Sequence, residues 1–139
     1  MLKYKSIGLY VLCLFAFETL FQIAYYTIST KYLDPYNSIE KIQNIFIDAL
    51  YVVGSIKVVF FLPIYFVFYL VISKKLQSNK AIRISVYHSI LFLILFVIIG
   101  VLLPGNILKK GGDTLVLTII AALASYILCN YRSQWLNVN

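Results

Sequence analysis

One stretch of apolar chain carries the side chains best suited to chemistry. Glu18, Gln22 and Tyr25 follow one another at spacings of four and three, which places them on one face of a helix. A carboxylate there can bind a proton or a cation, and the amide and the phenol extend a polar line beside it. The structural alternative is a protonated Glu18 carboxyl that is hydrogen-bonded inside a helix interface. Glu18 is the most informative position under either interpretation.

The usual residue sets of enzymes are missing. Metal sites need several His, Cys or carboxylate ligands at suitable spacing, and the chain has one histidine and no clustered ligands. Cys13 and Cys129 lie far apart in the sequence and form no CxxC pair. We find no glycine-rich phosphate loop and no nucleophile motif. We therefore expect no enzyme activity, no metal and no cofactor.

Composition indicates that lipid surrounds most of the chain. Of its 139 residues, 62% are hydrophobic and 12% are charged, and the mean hydropathy is +0.90. Soluble domains carry about 45–50% apolar and about 25% charged residues. A membrane-spanning helix needs about 20 apolar residues, and four stretches come close to that length. The sequence predicts a single all-α integral membrane domain over residues 1–139, a bundle of four transmembrane helices at residues 7–28, 52–73, 85–103 and 115–131.

The distribution of cations predicts the orientation. Seven cations and no acid fall on one side of the predicted bundle, against four cations and four acids on the other. The cation-rich side is Lys3, Lys5, Lys74, Lys75, Lys80, Arg83 and Arg132. Cation-rich loops face the cytoplasm, so we expect both termini there. The abundance of Ile, Asn, Lys, Tyr and Phe is typical of an AT-rich bacterial genome, so the expected membrane is a bacterial inner membrane. Cations that flank spans in this way indicate contact with membrane lipids, and we expect no nucleic-acid partner.

This orientation sets the expected depths of the other two buried ionisable residues. Lys57 lies nearer the outside than Glu18, and helical side chains lean toward the N-terminus of their helix, so the two charged heads point apart. We expect Lys57 to extend to the outer interface, with an ion pair to Glu18 as the alternative. His88 is expected one turn inside the cytoplasmic end of its span, bonded to backbone or water, with a proton relay as the alternative.

Two further patterns predict contacts between helices. Residues 38–50 alternate apolar and polar side chains at helical spacing, which predicts a short amphipathic helix in the first outer loop or one that continues into the second span. Asn37 is its expected cap. In the fourth span, Thr118, Ala121 and Ser125 form a small-residue packing face, and Gly54 offers a second close approach.

These features favour one function and leave another open. The leading expectation is a small non-catalytic subunit that scaffolds or regulates a larger membrane assembly, with other membrane proteins or further copies of the chain as partners. The alternative is a small oligomeric transporter or ion channel, coupled to protons or cations or moving a lipid-linked solute. In that case an intramembrane site forms around Glu18, Gln22, Tyr25 and Lys57.

Overall fold

The computed structural model describes residues 2–33, 38–73, 80–102 and 111–136, and every regular element within these ranges is helical. The helices are α1 (Leu2–Leu33), α2 (Ile39–Ile56), a π-helical segment (Lys57–Phe61), α3 (Leu62–Ile72), α4 (Lys80–Leu102) and α5 (Gly111–Arg132), followed by a 3₁₀ turn (Ser133–Trp135). The predicted loop cations Lys74, Lys75, Lys109 and Lys110 lie outside the described residues, as does Asn37.

Four of these helical stretches are long and apolar enough to cross a membrane, which confirms the prediction of four apolar spans. They are Tyr4–Ser29, Ile39–Ile72, Ala81–Leu102 and Asp113–Arg132. The second stretch is 34 residues long, well beyond the roughly 20 that a bilayer requires. Its extra length comes from residues 39–50, which are the start of this helix and not a separate one.

The second stretch begins at a side-chain cap. Ser38 has extended backbone angles, and its Oγ accepts a hydrogen bond from the Lys41 N–H at 3.3 Å. This satisfies one of the backbone N–H groups that the first helical turn leaves without an internal acceptor. The cap is therefore one residue later than the expected Asn37.

A π-helical turn interrupts the same stretch just before Pro63. Proline has no N–H to donate, and its ring crowds the carbonyl four residues earlier. The Leu62 N–H donates instead to the Lys57 carbonyl, a bond over five residues that widens the turn. The helix therefore continues past Pro63 to Ile72.

The Ile39–Ile72 helix packs antiparallel to α1. Glu18 meets Lys57 and, two turns nearer the α1 N-terminus, Tyr10 packs on Tyr69 with ring centroids 5.1 Å apart. Side chains buried along α1 include Ile7, Tyr10 and Leu14. Aromatic side chains join α3 and the π segment to α4. For example, the ring centroids of Phe61 and Phe92 lie 5.8 Å apart.

Small residues of α5 face its neighbours α1 and α4. Ala121 and Ser125 are fully buried, whereas Thr118 is half-buried and donates to the Thr114 carbonyl of its own helix. Ser85 of α4 donates to the Ala122 carbonyl of α5 at 2.7 Å, which fastens these two helices together. The expectation for Gly54 is wrong: a Cβ built there meets no atom within 4 Å, so none of the described helices approaches it closely.

Candidate functional site

Glu18 lies at the middle of α1 and is completely buried. Its carboxylate accepts hydrogen bonds from side chains of the π segment, α3 and α4, and from one side chain of α1 itself. The donors are Lys57 Nζ at 2.5 Å, His88 Nε2 at 2.7 Å, Tyr65 Oη at 3.1 and 3.2 Å, and Gln22 Nε2 at 3.4 Å. We call Glu18, Gln22, Lys57, Tyr65 and His88 the Glu18 cluster. The carboxylate is thus surrounded by donors, as an ionised buried acid requires.

Lys57 pairs directly with Glu18, so the expectation that it extends to the outer interface is wrong. Its side chain is 4% exposed, and its ammonium also donates to Gln22 Oε1 at 2.7 Å. Depths taken from the ends of apolar runs place Lys57 nearer the outside than Glu18. The long helix that begins at Ile39 carries Lys57 to the level of Glu18, and the flexible lysine stem turns its head inward.

Three phenylalanine rings surround the Lys57 ammonium. The distances from Nζ to the ring centroids of Phe61, Phe15 and Phe92 are 5.5, 5.6 and 5.7 Å. Each ring comes from a different helical element: α1, the π segment and α4. A cation within about 6 Å of an aromatic face is attracted by the ring quadrupole. Together with the carboxylate and the amide oxygen, these rings replace the water that the ammonium loses on burial.

His88 is also placed differently from the expectation. It is fully buried and contacts Glu18, and is not an interfacial side chain bonded to backbone or water. Because an ionised carboxylate can only accept, Nε2 carries the hydrogen of this bond. The other ring nitrogen, Nδ1, is buried and has no hydrogen-bond partner among the described residues. The Tyr65 and Tyr69 rings pack on the His88 ring, with centroid-to-centroid distances of 4.6 and 5.9 Å.

The sequence reasoning missed Tyr65, although a signal for it exists. Lys57, Phe61, Tyr65 and Tyr69 recur at spacings of four, and all are buried. A spacing of four drifts around a helix of 3.6 residues per turn. The wider π turn at Lys57–Phe61 offsets this drift and keeps Lys57 on the same side as Tyr65. Polar residues repeating at this interval beside Lys57 would have pointed to the cluster.

The polar line on α1 continues away from Glu18 but divides among partners. Gln22 joins the cluster and also donates to the Leu117 carbonyl of α5 at 3.4 Å. Tyr25 does not reach Glu18; its hydroxyl donates to Asp113 Oδ1 at 3.2 Å, near the start of α5. Of the predicted site residues, the structure therefore brings together Glu18, Gln22 and Lys57, whereas Tyr25 bonds to Asp113 near the start of α5.

The cluster combines one acid, Glu18, with two basic side chains, Lys57 and His88. The neutral side chains Tyr65 and Gln22 also donate to the Glu18 carboxylate. Such a group can exchange a proton or rearrange its ion pair without contact with bulk water. Among the described residues, no three His, Cys, Asp or Glu side chains are placed to hold a metal ion. Comparison of the chain with known protein families, curated proteins and solved structures finds no match.

Proposed function

We propose that this chain is an integral membrane protein whose four apolar helices cross a bacterial cytoplasmic membrane, with both termini inside. The lengths and hydropathies of the helices support the insertion. The excess of cations at one side of the bundle supports the orientation. Alkaline phosphatase fused after Asn44 should be active, and a fluorescent protein fused to the C-terminus should fluoresce. The opposite pattern would reverse the orientation.

Within that membrane, we propose that the protein is a small transporter or channel that binds and releases a proton or cation at the Glu18 cluster. The observation that carries this proposal is the burial of Glu18 with Lys57 and His88, each from a different helix. Ionisable groups deep in a bilayer are expensive and typically mark ion paths or proton relays. The π turn at Lys57 adds support, because such turns are frequent at functional sites.

The geometry indicates how binding would couple to the fold. The Glu18 carboxylate ties α1 to the π segment through Lys57 and to α4 through His88. A proton or cation that binds Glu18 competes with both donors and weakens the ties between these helices. A ligand with different affinities for the tied and released arrangements shifts the balance between them. Alternation between the two arrangements would then open the buried acid to one side at a time.

Ion flux through purified protein tests this proposal. Liposomes containing the wild-type chain and a pH-sensitive dye should show proton or cation flux, and Glu18→Gln should abolish it. Glu40→Gln is the matched control, because Glu40 is exposed near the start of α2, away from the cluster. The proposal fails if the wild-type liposomes are no leakier than empty ones, or if both variants behave alike.

A second candidate is a non-catalytic subunit of a larger membrane assembly, favoured by the length of the Ile39–Ile72 helix. At about 1.5 Å per residue it exceeds a hydrocarbon core of roughly 30 Å, so one end extends beyond the bilayer. That end carries exposed apolar side chains, including Ile39 and Ile47, which are 76% and 48% exposed. Polar residues such as Gln43 and Asn44 are exposed on the same end.

Purification in mild detergent distinguishes the two candidates. A subunit should copurify with one membrane protein at fixed stoichiometry, and Ile47→Ser should release that partner while Glu18→Gln leaves the complex intact. Val67→Ser is the matched control, because Val67 is an exposed apolar residue of α3, well outside residues 39–50. A chain that purifies alone or only with itself, and moves ions, would contradict the subunit function.

A further inference from the structure

The surroundings of the Lys57 ammonium form a complete cation site. Glu18 supplies one negative charge at 2.5 Å and Gln22 supplies a neutral oxygen at 2.7 Å. Phe15, Phe61 and Phe92 close the remaining sides, with ring centroids at 5.5–5.7 Å. Only Lys57 itself brings a positive charge into this set. The five groups around it lie on other residues, so they remain part of the chain if the lysine head withdraws.

We propose that this space is a binding site for a small primary ammonium ion, with the Lys57 head as its resident occupant. The inference rests on the proposed function and names the class of cation that the Glu18 cluster accepts. Aromatic cages attract any organic cation. The two oxygens at hydrogen-bond distance from Nζ add a requirement for N–H donors, which a quaternary ammonium lacks. The site therefore selects primary over quaternary ammonium ions.

The charge balance limits the site to one cation at a time. In the part of the chain that the structure describes, Glu18 is the only acid around Lys57, and Gln22 and the three rings are neutral. A second ammonium ion would be buried without a counter-charge, which is strongly unfavourable. An entering amine must therefore displace the Lys57 head from Glu18, so that the lysine acts as a tethered competitor.

Removal of the tether exposes the site for a binding measurement. Lys57→Ala deletes three methylenes and the ammonium, and n-propylammonium has the same atoms. In detergent, n-propylammonium should raise the melting temperature of Lys57→Ala in a saturable way. The apparent affinity from this titration should be at least about ten-fold higher than that for 1-propanol or tetramethylammonium. Wild-type protein should show a smaller shift that needs more amine, because the Lys57 head competes for the site. Equal effects of 1-propanol would mean cavity filling and would overturn the proposal.

The walls of the site can be tested in the same background. Phe92→Leu, combined with Lys57→Ala, should weaken the n-propylammonium shift, because Phe92 is buried and forms one wall. Phe17→Leu is the matched control, since the Phe17 ring is partly exposed and packs on Phe21. Similar binding in the two double variants would contradict a role for the aromatic cage.

A flux measurement on wild-type protein separates this inference from the proposed function and does not require Lys57→Ala to fold. In proteoliposomes, a gradient of n-propylammonium should produce uptake of the labelled amine that Glu18→Gln abolishes. Glu18-dependent proton flux without amine uptake, and without binding to Lys57→Ala, would overturn the inference and leave the proposed function standing. Amine binding to Lys57→Ala with no Glu18-dependent flux would support the site and remove the transport function.

Discussion

His88 Nε2 lies 2.7 Å from Glu18 Oε2, although 70 residues separate them in the chain and both side chains are fully buried. This bond joins α1 to α4, while Lys57 joins the other carboxylate oxygen to the π segment. One acid thus connects three of the four long helices. The stability of the bundle and the state of its candidate site consequently depend on the same few contacts.

The Glu18–Lys57 pair should show strong coupling in a double-mutant cycle. Lys57→Met leaves a buried carboxylate without its counter-charge, and Glu18→Gln leaves a buried ammonium in the same condition. Each should lower the free energy of unfolding by about 3–5 kcal/mol. In the double variant neither charge remains, so the loss should be smaller than the sum of the single losses by about 1–3 kcal/mol. Unfolding in mixed micelles measures all four proteins.

Lys5→Met is the control for this cycle, because Lys5 is exposed near the start of α1. It should change the stability by no more than about 0.5 kcal/mol. Additive losses at Glu18 and Lys57 would contradict the ion pair between the two side chains.

His88 should be replaceable by a residue that keeps its donor. His88→Ala removes the hydrogen bond to Glu18 Oε2 and the ring that packs on Tyr65, whereas His88→Gln retains an N–H group of similar reach. We expect His88→Ala to lower the free energy of unfolding by about 3 kcal/mol or more, and His88→Gln to recover about 1–3 kcal/mol of that loss. Equal losses would assign the whole effect to ring packing.

The helices were predictable from sequence because length and hydropathy alone determine whether a stretch can span lipid. The contacts that Glu18 makes inside the bundle could not be predicted in the same way. Depth was inferred from the ends of apolar runs, but the Ile39–Ile72 helix extends far beyond its apolar part, so Lys57 lies deeper than its position suggested. The π turn, which keeps Lys57 in line with Tyr65, depends on Pro63 and on packing against α1. Spacing rules for an ideal α-helix do not include such a turn.

The polar line on α1 illustrates the same limit. Helical spacing correctly put Gln22 beside Glu18, at 3.4 Å, because both lie on one helix. Whether Tyr25 turned toward that pair or toward another helix depended on the neighbour at its level. That neighbour is Asp113 at the start of α5, and its position relative to α1 is a tertiary contact.

The contact surface of α5 should be sensitive to side-chain size. Ala121 has no exposed surface, so Ala121→Leu must push the neighbouring helices apart. We expect a loss of about 1–3 kcal/mol in the free energy of unfolding. Ala16→Leu is the matched control, because Ala16 is exposed on α1, where the larger side chain can extend away from the bundle. A loss of similar size at both positions would contradict close packing at Ala121.

Gly54 should tolerate a larger side chain, contrary to what its residue type indicates. A Cβ at this position meets no atom within 4 Å, and the residue lies inside a continuous helix. Glycine is less favourable than alanine in a helix interior by about 0.8–1.0 kcal/mol. Gly54→Ala should therefore leave the melting temperature in detergent unchanged or raise it. Gly8→Ala provides a comparison, because its Cβ would contact Phe66 at 3.6 Å, an ordinary packing distance. If Gly54→Ala lowers the stability while Gly8→Ala does not, another chain must approach Gly54 closely, which would support an oligomer.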